Sequence, residues 1–582
     1  MKKFINRNIL WSEFIVDTLL KFGIKNVVIC PGSRNTPLIF ALAKEKRIKK
    51  YTVIDERSAG FFAMGIAKKT KKPTAVATTS GTAVANLYPS VVEAFYSNIP
   101  LIVITADRPE ILHNCGANQT INQKKIYANN SKDFQNITTE SISKESFTRI
   151  HKRVSRILIE QKIDPGPVQI NIMFDKPFEP ESFTDSIEQN SLDYIFKINK
   201  NEQIKISTKL DDLVIPFSII RKINSARSGL IIAGGGVNKQ IAALITKLAK
   251  KLSFPVFVDA SSELFFSSSQ DIILKSFNQL AISKEFRNHL HPDVIIQFGK
   301  APTSNSVLQF FESSRAFKIG INEQGNLYDP SRTTNKSIKS NPKVFIETII
   351  PLLQAKKNSG LKGIITLDKN LAENRTKMIE KTNWMFEGKI YQELLKLIPD
   401  NSNLFIGNSL PIRDFDSYAM RGKRNINLFT NRGASGIDGI VSTTLGIASK
   451  SKTTFLVLGD QSFFHDLNSL LIAGHNKIPL TIILVNNRCG GIFKMLPAAK
   501  YKAELRKYLS MNYNLKFENI IKSFNADYCN ITSWKEFEKA FRKIDINKLN
   551  VLEILTDADR SVKFRKFISA EAKKAVTKYY DS

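Results

Sequence analysis

Cysteine is scarce in this chain. The 582 residues hold four, Cys30, Cys115, Cys489 and Cys529, and none forms a CxxC pair. That spacing argues against a zinc ribbon or a disulfide framework and fits free thiols in a reducing compartment. Long apolar runs are missing too: no stretch approaches the ~20 continuous apolar residues of a membrane span. The opening MKKFINRNILWSEF is basic, but Asn and Glu break its apolar run, and it has no signal-peptide core or small-residue cleavage site. The expectation is a cytoplasmic protein with no membrane span. Acidic residues are in short supply, 53 against 85 Lys and Arg, giving a formal net charge of +32. The lysines are scattered, as in AKKTKKP and KAELRKYLS, with no basic arm, RNA-binding signature or zinc finger. A solvated surface accounts for them, with at most a minor pull on anionic substrates, and no nucleic-acid partner is expected. In so basic a chain, a carboxylate ending an apolar strand needs a reason. One stands in LVLGDQSFFHDLNSLL, Leu456 to Leu471.

The length implies two to four domains. Short apolar runs alternate with helical patterns through the first 175 or so residues. NVVIC meets PGSRNTPL, YTVI meets DERSAGFFAMGIA, PTAVATT meets SGTAVANLYPSVVEAF, and LIVIT meets ADRPEIL. This rhythm predicts a parallel sheet with helices on both faces, its polar clusters gathered at the carboxyl ends of the strands. GPVQINIMFDKPFEP reads as a further strand leaving the domain, and FTDSIEQNSLDYIFKINKNEQIKIS as a linker. A second α/β block carries Gly234, Gly235 and Gly236 at a strand end. Their spacing is not GxGxxG and no partner acid is evident, so a tight strand–helix turn is favoured over a dinucleotide site. A polar segment from about residue 335 to 385 leads to a third block with the rhythm of the first. The predicted fold class is α/β, with three doubly wound parallel-sheet domains at 1–182, 205–345 and 385–582.

Asp460 and Asn487 are 27 positions apart, enough for one β-α-β crossover. The strand Phe455–Leu458, a helix from about Ser462 to Asn476 and the strand Leu480–Val485 would put Gly459-Asp460 and Asn486-Asn487 at the same sheet edge. A carboxylate, an amide oxygen and nearby carbonyls form a hard oxygen-donor site suited to Mg²⁺. A helix start beside it offers N–H groups to phosphate oxygens. Metal-bridged diphosphate binding is the chemistry implied; the plainer alternative is a capped helix after a strand.

GD…NN at this separation resembles the diphosphate motif of thiamine-diphosphate enzymes, whose three-domain layout also matches. PGSRNTPL, DERSAGFFAMGIAK, TSGTAVANLYPSVVEA, TADRPEIL, GANQTINQ, GNSLPIRDFD, NRGASGIDG and GDQSFFHDLNSL together narrow the resemblance. They are similar to the 2-succinyl-5-enolpyruvyl-6-hydroxy-3-cyclohexene-1-carboxylate synthase family of the menaquinone and phylloquinone pathways. The resemblance is dense in the outer blocks and thin in the middle one. It implies a transketolase-type transferase that decarboxylates 2-oxoglutarate and adds the resulting carbanion 1,4 to isochorismate. It also implies thiamine diphosphate with Mg²⁺ or Mn²⁺, and a homodimer or dimer of dimers with the cofactor between the first domain of one subunit and the third of another.

The resemblance assigns residues. Glu56 would hydrogen-bond the cofactor's aminopyrimidine and promote its imino tautomer; the plainer alternative is an ion pair with Arg57. Asp460, Asn487 and the carbonyl of Cys489 would hold the metal. Thr82, Asn408, Ser409, Ser435, Ile437, Gly459, Gln461, Ser462, Asn487, Ile492 and Phe493 would contact the cofactor, with Ile437 wedging it into a bent form. Ser409, Arg413 and Arg432 would surround 2-oxoglutarate. Ser33, Arg34, Arg108, Asn118 and Gln119 would surround isochorismate, and Ile492 and Phe493 would wall the reacting carbon. Arginine forks suit dianionic substrates. His465 and Asp466 fall to the margin of the site. One departure stands out: the family carries a basic residue after TS in the central domain, where this chain has Asn305 and Ser306, with Lys300 nearby but out of register. Among rivals, a 2-oxo-acid decarboxylase or acetolactate-synthase-like ligase is nearest. A basic nucleic-acid binder and a catalytically dead scaffold of the same fold are more remote.

Overall fold

The computed structural model describes residues 6–139, 142–180, 190, 193–194, 213–266, 272–358, 360–451, 453–510 and 515–581. It contains three six-stranded sheets, every strand pair parallel. The first is built from β1 (Asn26–Ile29), β2 (Lys49–Thr52), β3 (Thr74–Thr78), β4 (Leu101–Asp107), β5 (Phe134–Thr138) and β6 (Val168–Met173), in the order β2-β1-β3-β4-β6-β5. The second holds β7 (Gly229–Ala233), β8 (Val256–Val258), β9 (Ile273–Leu274), β10 (Val294–Phe298), β11 (Phe317–Asn322) and β12 (Thr334–Lys339), in the order β12-β11-β10-β7-β8-β9. The third holds β13 (Asn403–Ile406), β14 (Asn427–Phe429), β15 (Thr454–Gly459), β16 (Leu480–Asn486), β17 (Asp527–Ile531) and β18 (Leu549–Leu555), in the order β14-β13-β15-β16-β18-β17. Central strands such as β3, β4, β10 and β16 are buried along their whole length. Helices cover both faces, which is why these strands read as unbroken apolar runs rather than alternating ones. The α/β alternation in the sequence is thus realised as expected.

Two expectations change. The run GPVQINIM forms β6 but does not close the sheet, because β5 pairs outside it. FQNIT, the edge strand, alternates buried and half-buried positions and carries too little apolar signal to stand out. The polar segment 335–385 is not a plain connector. It includes most of β12 and the helices Pro342–Ile349 and Leu361–Glu380. Leu367 and Leu371 of the latter pack with Ala572 and Val576 of the C-terminal helix Ala558–Asp581 against the second sheet. The chain therefore returns from its third domain to its second. The predicted linker 183–207 lies outside the described residues apart from 190 and 193–194.

The triple glycine forms a tight turn after β7. A Cβ on Gly234 would stand 1.8 Å from the Lys300 carbonyl oxygen. The crevice between β7 and β10, where a sheet of this strand order takes a dinucleotide, is closed here by backbone.

The first and third domains share a core. Phe61, Phe62 and Met64 of the helix Glu56–Thr70 pack with Ile440, Val441 and Leu445 of the helix Ile440–Ala448. The two helices cross at glycines: a Cβ on Gly65 would lie 2.0 Å from the Thr443 carbonyl oxygen, and one on Gly446 2.1 Å from that of Phe62. Only residues without a side chain permit so close an approach. This crossing fixes the third domain relative to Glu56 of the same chain.

Candidate functional site

β15 and β16 run parallel, with Gly459 beside Val485. The turns that follow them meet at one edge, as the crossover predicts. A narrow cleft opens there. Its lining includes Asn408, Ser409, Ile437, Gly459, Asp460, Gln461, Ser462, Asn487, Cys489 and Ile492, and every lining residue lies between Glu387 and Ile492. Ten predicted contacts are thus brought together by one domain.

Asp460 is 3 % exposed. Its Oδ1 accepts from the Gln461 N–H at 3.0 Å, while its buried Oδ2 has no hydrogen-bond partner among the described residues. Burial, only partly offset by backbone N–H groups, pushes its carboxyl up to about 7. A buried carboxylate oxygen without a donor is costly, and a divalent cation in the cleft would relieve it. Asn487 Oδ1 accepts from the Cys489 N–H at 3.1 Å, and the Cys489 carbonyl accepts from the Gly491 N–H at 2.8 Å, leaving each oxygen a second lone pair. The donor set is all oxygen and fits a hard cation. The thiol of Cys489 is buried and its pKa is raised, mainly by desolvation. Among the described residues no cluster of three His, Cys, Asp or Glu side chains could hold a metal, so a site here depends on amide and carbonyl oxygens.

The helix after Asp460 differs from the expected one. It starts at Asp460 itself, ends at His465, and is separated by a 3₁₀ turn from the helix Leu470–Asn476. The break falls at Asp466, wholly buried, whose carboxylate accepts from the Ser442 N–H at 2.7 Å and its hydroxyl at 2.9 Å. Asp466 is a bolt between two helices of the third domain. His465 is engaged by Arg57, which donates to its carbonyl oxygen at 2.8 Å.

Ser409 has φ +71° and Ser435 φ +63°, left-handed conformations uncommon outside glycine and concentrated at functional sites. Asn408 Nδ2 donates to the carbonyls of Asn431 and Gly436, both at 2.7 Å, which ties the loop carrying Arg432, Ser435 and Ile437 to the end of β13. Arg413 donates to the Ser409 carbonyl at 2.6 Å, and Arg432 lies within 3.4 Å of Asn408 Oδ1. Burial and then the charge of Arg432 depress the Arg413 pKa. Two guanidinium groups brought this near each other are suited to a shared dianion. Phe493 lies outside the cleft lining but against Gly490, where a Cβ would meet its ring at 2.7 Å.

The first-domain residues form a second group at the carboxyl edge of their own sheet. Arg34 donates to the Phe174 carbonyl at 2.7 Å and lies 4.6 Å over the Phe178 ring. Burial, and then Arg108, pull its pKa down to about 10. Arg108 donates to the Ser80 hydroxyl and, at 2.7 Å, to the Gln119 carbonyl. Gln119 takes φ +55° and donates to the Ser80 carbonyl at 2.9 Å. Ser33, Asn118, Gln119 and Thr82 are exposed.

Glu56 is half-buried at the start of its helix and accepts from Asn86 Nδ2 at 3.2 Å. It does not pair with Arg57, whose guanidinium turns to His465, so the ion-pair alternative falls. Neither Glu56 nor Thr82 lines the third-domain cleft of its own chain. The departure in the middle domain is also clarified. Ser306 donates to the Asn278 carbonyl at 2.7 Å, and Lys300 donates to the carbonyls of Tyr96 at 2.6 Å and Arg432 at 3.2 Å. Lys300 is used at a domain junction and does not stand in for the missing base.

Sequence reasoning missed Ser80, which positions Arg108 and Gln119, and Gln123, whose Oε1 accepts from the Gly81 N–H at 2.9 Å. It also missed Glu93, a lone acid among apolar neighbours in PSVVEAF. That isolation was the available signal.

Known proteins repeat this three-part pattern. Residues 11–126 match the model for the thiamine pyrophosphate enzyme N-terminal TPP binding domain, 220–406 the middle domain of thiamine pyrophosphate enzymes, and 417–553 the C-terminal TPP binding domain. Relatives similar over nearly their full length are named 2-succinyl-5-enolpyruvyl-6-hydroxy-3-cyclohexene-1-carboxylate synthase. The protein from Bacillus cytotoxicus is 31 % identical, covering 96 % of this chain and 95 % of its own length. That from Bacillus velezensis is 33 % identical with 97 % of each covered, and that from Listeria monocytogenes 34 % with 93 % of each.

Proposed function

The chain belongs to the 2-succinyl-5-enolpyruvyl-6-hydroxy-3-cyclohexene-1-carboxylate synthase family of thiamine-diphosphate-dependent enzymes, and on that premise we propose how its own residues serve the reaction. The reaction is the menaquinone-pathway step that releases CO₂ from 2-oxoglutarate and joins the remaining four carbons to isochorismate. The observation that carries the site reading is the orphaned Oδ2 of Asp460, buried in a cleft beside Asn487 and the Cys489 carbonyl.

Asp460, Asn487 and the Cys489 carbonyl would hold Mg²⁺ or Mn²⁺, and with it the diphosphate of the cofactor. Thiamine diphosphate, when bound, supplies the nucleophilic carbon and the electron sink for decarboxylation. Gly459, Gln461 and Ser462 would hold the diphosphate, and Asn408, Ser409, Ser435, Ile437, Ile492 and Phe493 would contact the rest of the cofactor. Arg413 and Arg432 bind the carboxylates of 2-oxoglutarate. Arg34 and Arg108, framed by Ser33, Asn118 and Gln119, bind those of isochorismate. Glu56 would hydrogen-bond the cofactor's aminopyrimidine and promote its imino tautomer, and Thr82 would contact the cofactor.

The cleft lies in one domain and Glu56 outside it. The working unit in this reading is therefore a homodimer, or a dimer of dimers, in which the first domain of a second copy supplies Glu56. The domains are taken as 1–182, 205–345 and 385–582, and the location as cytoplasmic. Among the described residues no helix is long and apolar enough to cross a membrane.

The test is a coupled assay with 2-oxoglutarate, isochorismate, thiamine diphosphate and Mg²⁺. The expected result is a product that requires all four. Turnover of 2-oxoglutarate unaffected by isochorismate, or preference for another 2-oxo acid, would assign the chain to a different activity.

A further inference from the structure

Glu93 lies on the helix Tyr88–Ser97 of the first domain and is 3 % exposed. Its carboxylate leaves its own domain. Oε1 accepts from the Gly433 N–H at 2.8 Å, and Oε2 from the Ala434 N–H at 2.7 Å and the Ser435 N–H at 3.2 Å. The Ser97 hydroxyl also donates to Oε1 at 2.8 Å. Three consecutive amides of one third-domain loop thus converge on a single acid. Backbones meet here as well: a Cβ on Gly433 would lie 2.6 Å from the Glu93 carbonyl oxygen.

The cations at this junction reinforce the same loop instead of neutralising Glu93 directly. Lys68 donates to the Thr430 carbonyl at 2.5 Å and to Asn431 Oδ1 at 2.8 Å, and Lys300 of the second domain donates to the Arg432 carbonyl. Burial drives both lysines down to about 8, with Glu93 opposing the shift. Asn408 grips the loop from the other side at Asn431 and Gly436. All three domains of one chain therefore hold residues 430–436, which lead directly into Ile437.

We propose that Glu93 is a positioning residue: by binding the amides of Gly433, Ala434 and Ser435 it sets the loop that presents Arg432 and Ile437 to substrate and cofactor. The proposal rests on the roles given to Arg432 and Ile437 above. A carboxylate is required because the three amides bring only donors, and it offers acceptors alone. A glutamine would turn an NH₂ toward an N–H, and an aspartate would fall one methylene short. A first-domain residue thus shapes the third-domain site of its own chain, separately from whatever the second copy contributes.

The experiment compares Glu93→Gln with the full-length holoenzyme. Amide hydrogen exchange at residues 433–435 is expected to accelerate, and kcat/KM for 2-oxoglutarate to fall about tenfold. The combined Glu93→Gln/Arg432→Ala chain should lose little more than Arg432→Ala alone, because both act through one loop. Glu93→Gln/Arg34→Ala should instead lose the product of the two single effects. Ser97→Ala, which removes one bond to Glu93 and leaves the fold intact, should shift exchange and kcat/KM the same way by about twofold. Unchanged exchange, or faster exchange without kinetic loss, would overturn the proposal. So would multiplicative losses with an Arg432→Ala that by itself costs activity. If Arg432→Ala has no effect while Glu93→Gln loses activity with faster exchange, the role of Arg432 fails and Glu93 remains the loop's anchor through Ile437.

Discussion

The first and third domains share one topology, a sheet with its strands ordered second, first, third, fourth, sixth, fifth. Their functional edges nevertheless differ. At the end of β15 the third domain places Asp460, buried, with one oxygen left without a donor, in a cleft lined wholly by its own residues. At the end of β3 the first domain places Thr79, Ser80 and Gly81, whose groups bind Arg108, Gln119 and Gln123. One edge is organised around an unmet electrostatic demand. The other is organised around two buried arginines tied to carbonyl and hydroxyl groups of the same chain. The second domain, with the different order β12-β11-β10-β7-β8-β9, has its crevice closed by the Gly234 and Lys300 backbones and serves as a brace. A common scaffold therefore does not determine which edge takes the diphosphate; the residues just past the strand ends do.

The largest effect should come from the third-domain edge. Asp460→Ala removes the cleft carboxylate that has an unpartnered buried oxygen among the described residues, and calorimetry should show metal-dependent cofactor affinity weakened about a hundredfold or more, given that even outer-shell partners of metal ligands are worth roughly 10–100-fold. Next is Glu56→Gln at the first-domain edge. It should retain cofactor binding yet lose on the order of 10²–10⁴ in kcat, the usual range for a positioned acid–base group; near-normal turnover would remove its role. The arginines should then separate the two edges. Arg413→Ala should lower kcat/KM for 2-oxoglutarate about tenfold or more, as expected for lost charged hydrogen bonds, and leave the KM for isochorismate unchanged. Arg108→Ala should do the reverse.

The smallest effect concerns stability. Burial pushes Asp466 up to about 7 from its ordinary 3.8. Between those values the folded chain keeps a proton that the unfolded chain has lost. Its contribution is therefore full below pH 3.8 and is lost as pH rises through 7. Asp466→Asn removes this titration, so the difference in thermal midpoint between variant and wild type should shift in the variant's favour as pH rises over that window. A difference independent of pH would show that Asp466 does not titrate there.

What was legible in the sequence follows the same contrast. Buried parallel strands are continuous apolar runs, so the three sheets and the Asp460–Asn487 crossover could be read directly. The edge strand β5 and the helix Leu361–Glu380 could not, because half-buried elements mix polar and apolar residues and depend on distant partners for their burial. The break at Asp466 is set by Ser442, which the chain's own local pattern does not reveal. Glu93 stands out as a lone acid among apolar residues, but its role could not be read for a similar reason: its partners are backbone amides 340 to 342 positions away, and backbone amides leave no residue signature.

The central claim is that the third-domain cleft of one chain works with Glu56 of another. Mixing Glu56→Gln chains with Asp460→Ala chains under subunit exchange tests it most directly. Each variant alone should be inactive. In the mixture, half the dimers pair unlike chains and carry one intact site of two, so activity should recover to about a quarter of wild type, as closed twofold symmetry requires. No recovery after demonstrated exchange would contradict the shared site and place Glu56 and Asp460 in the same chain's chemistry.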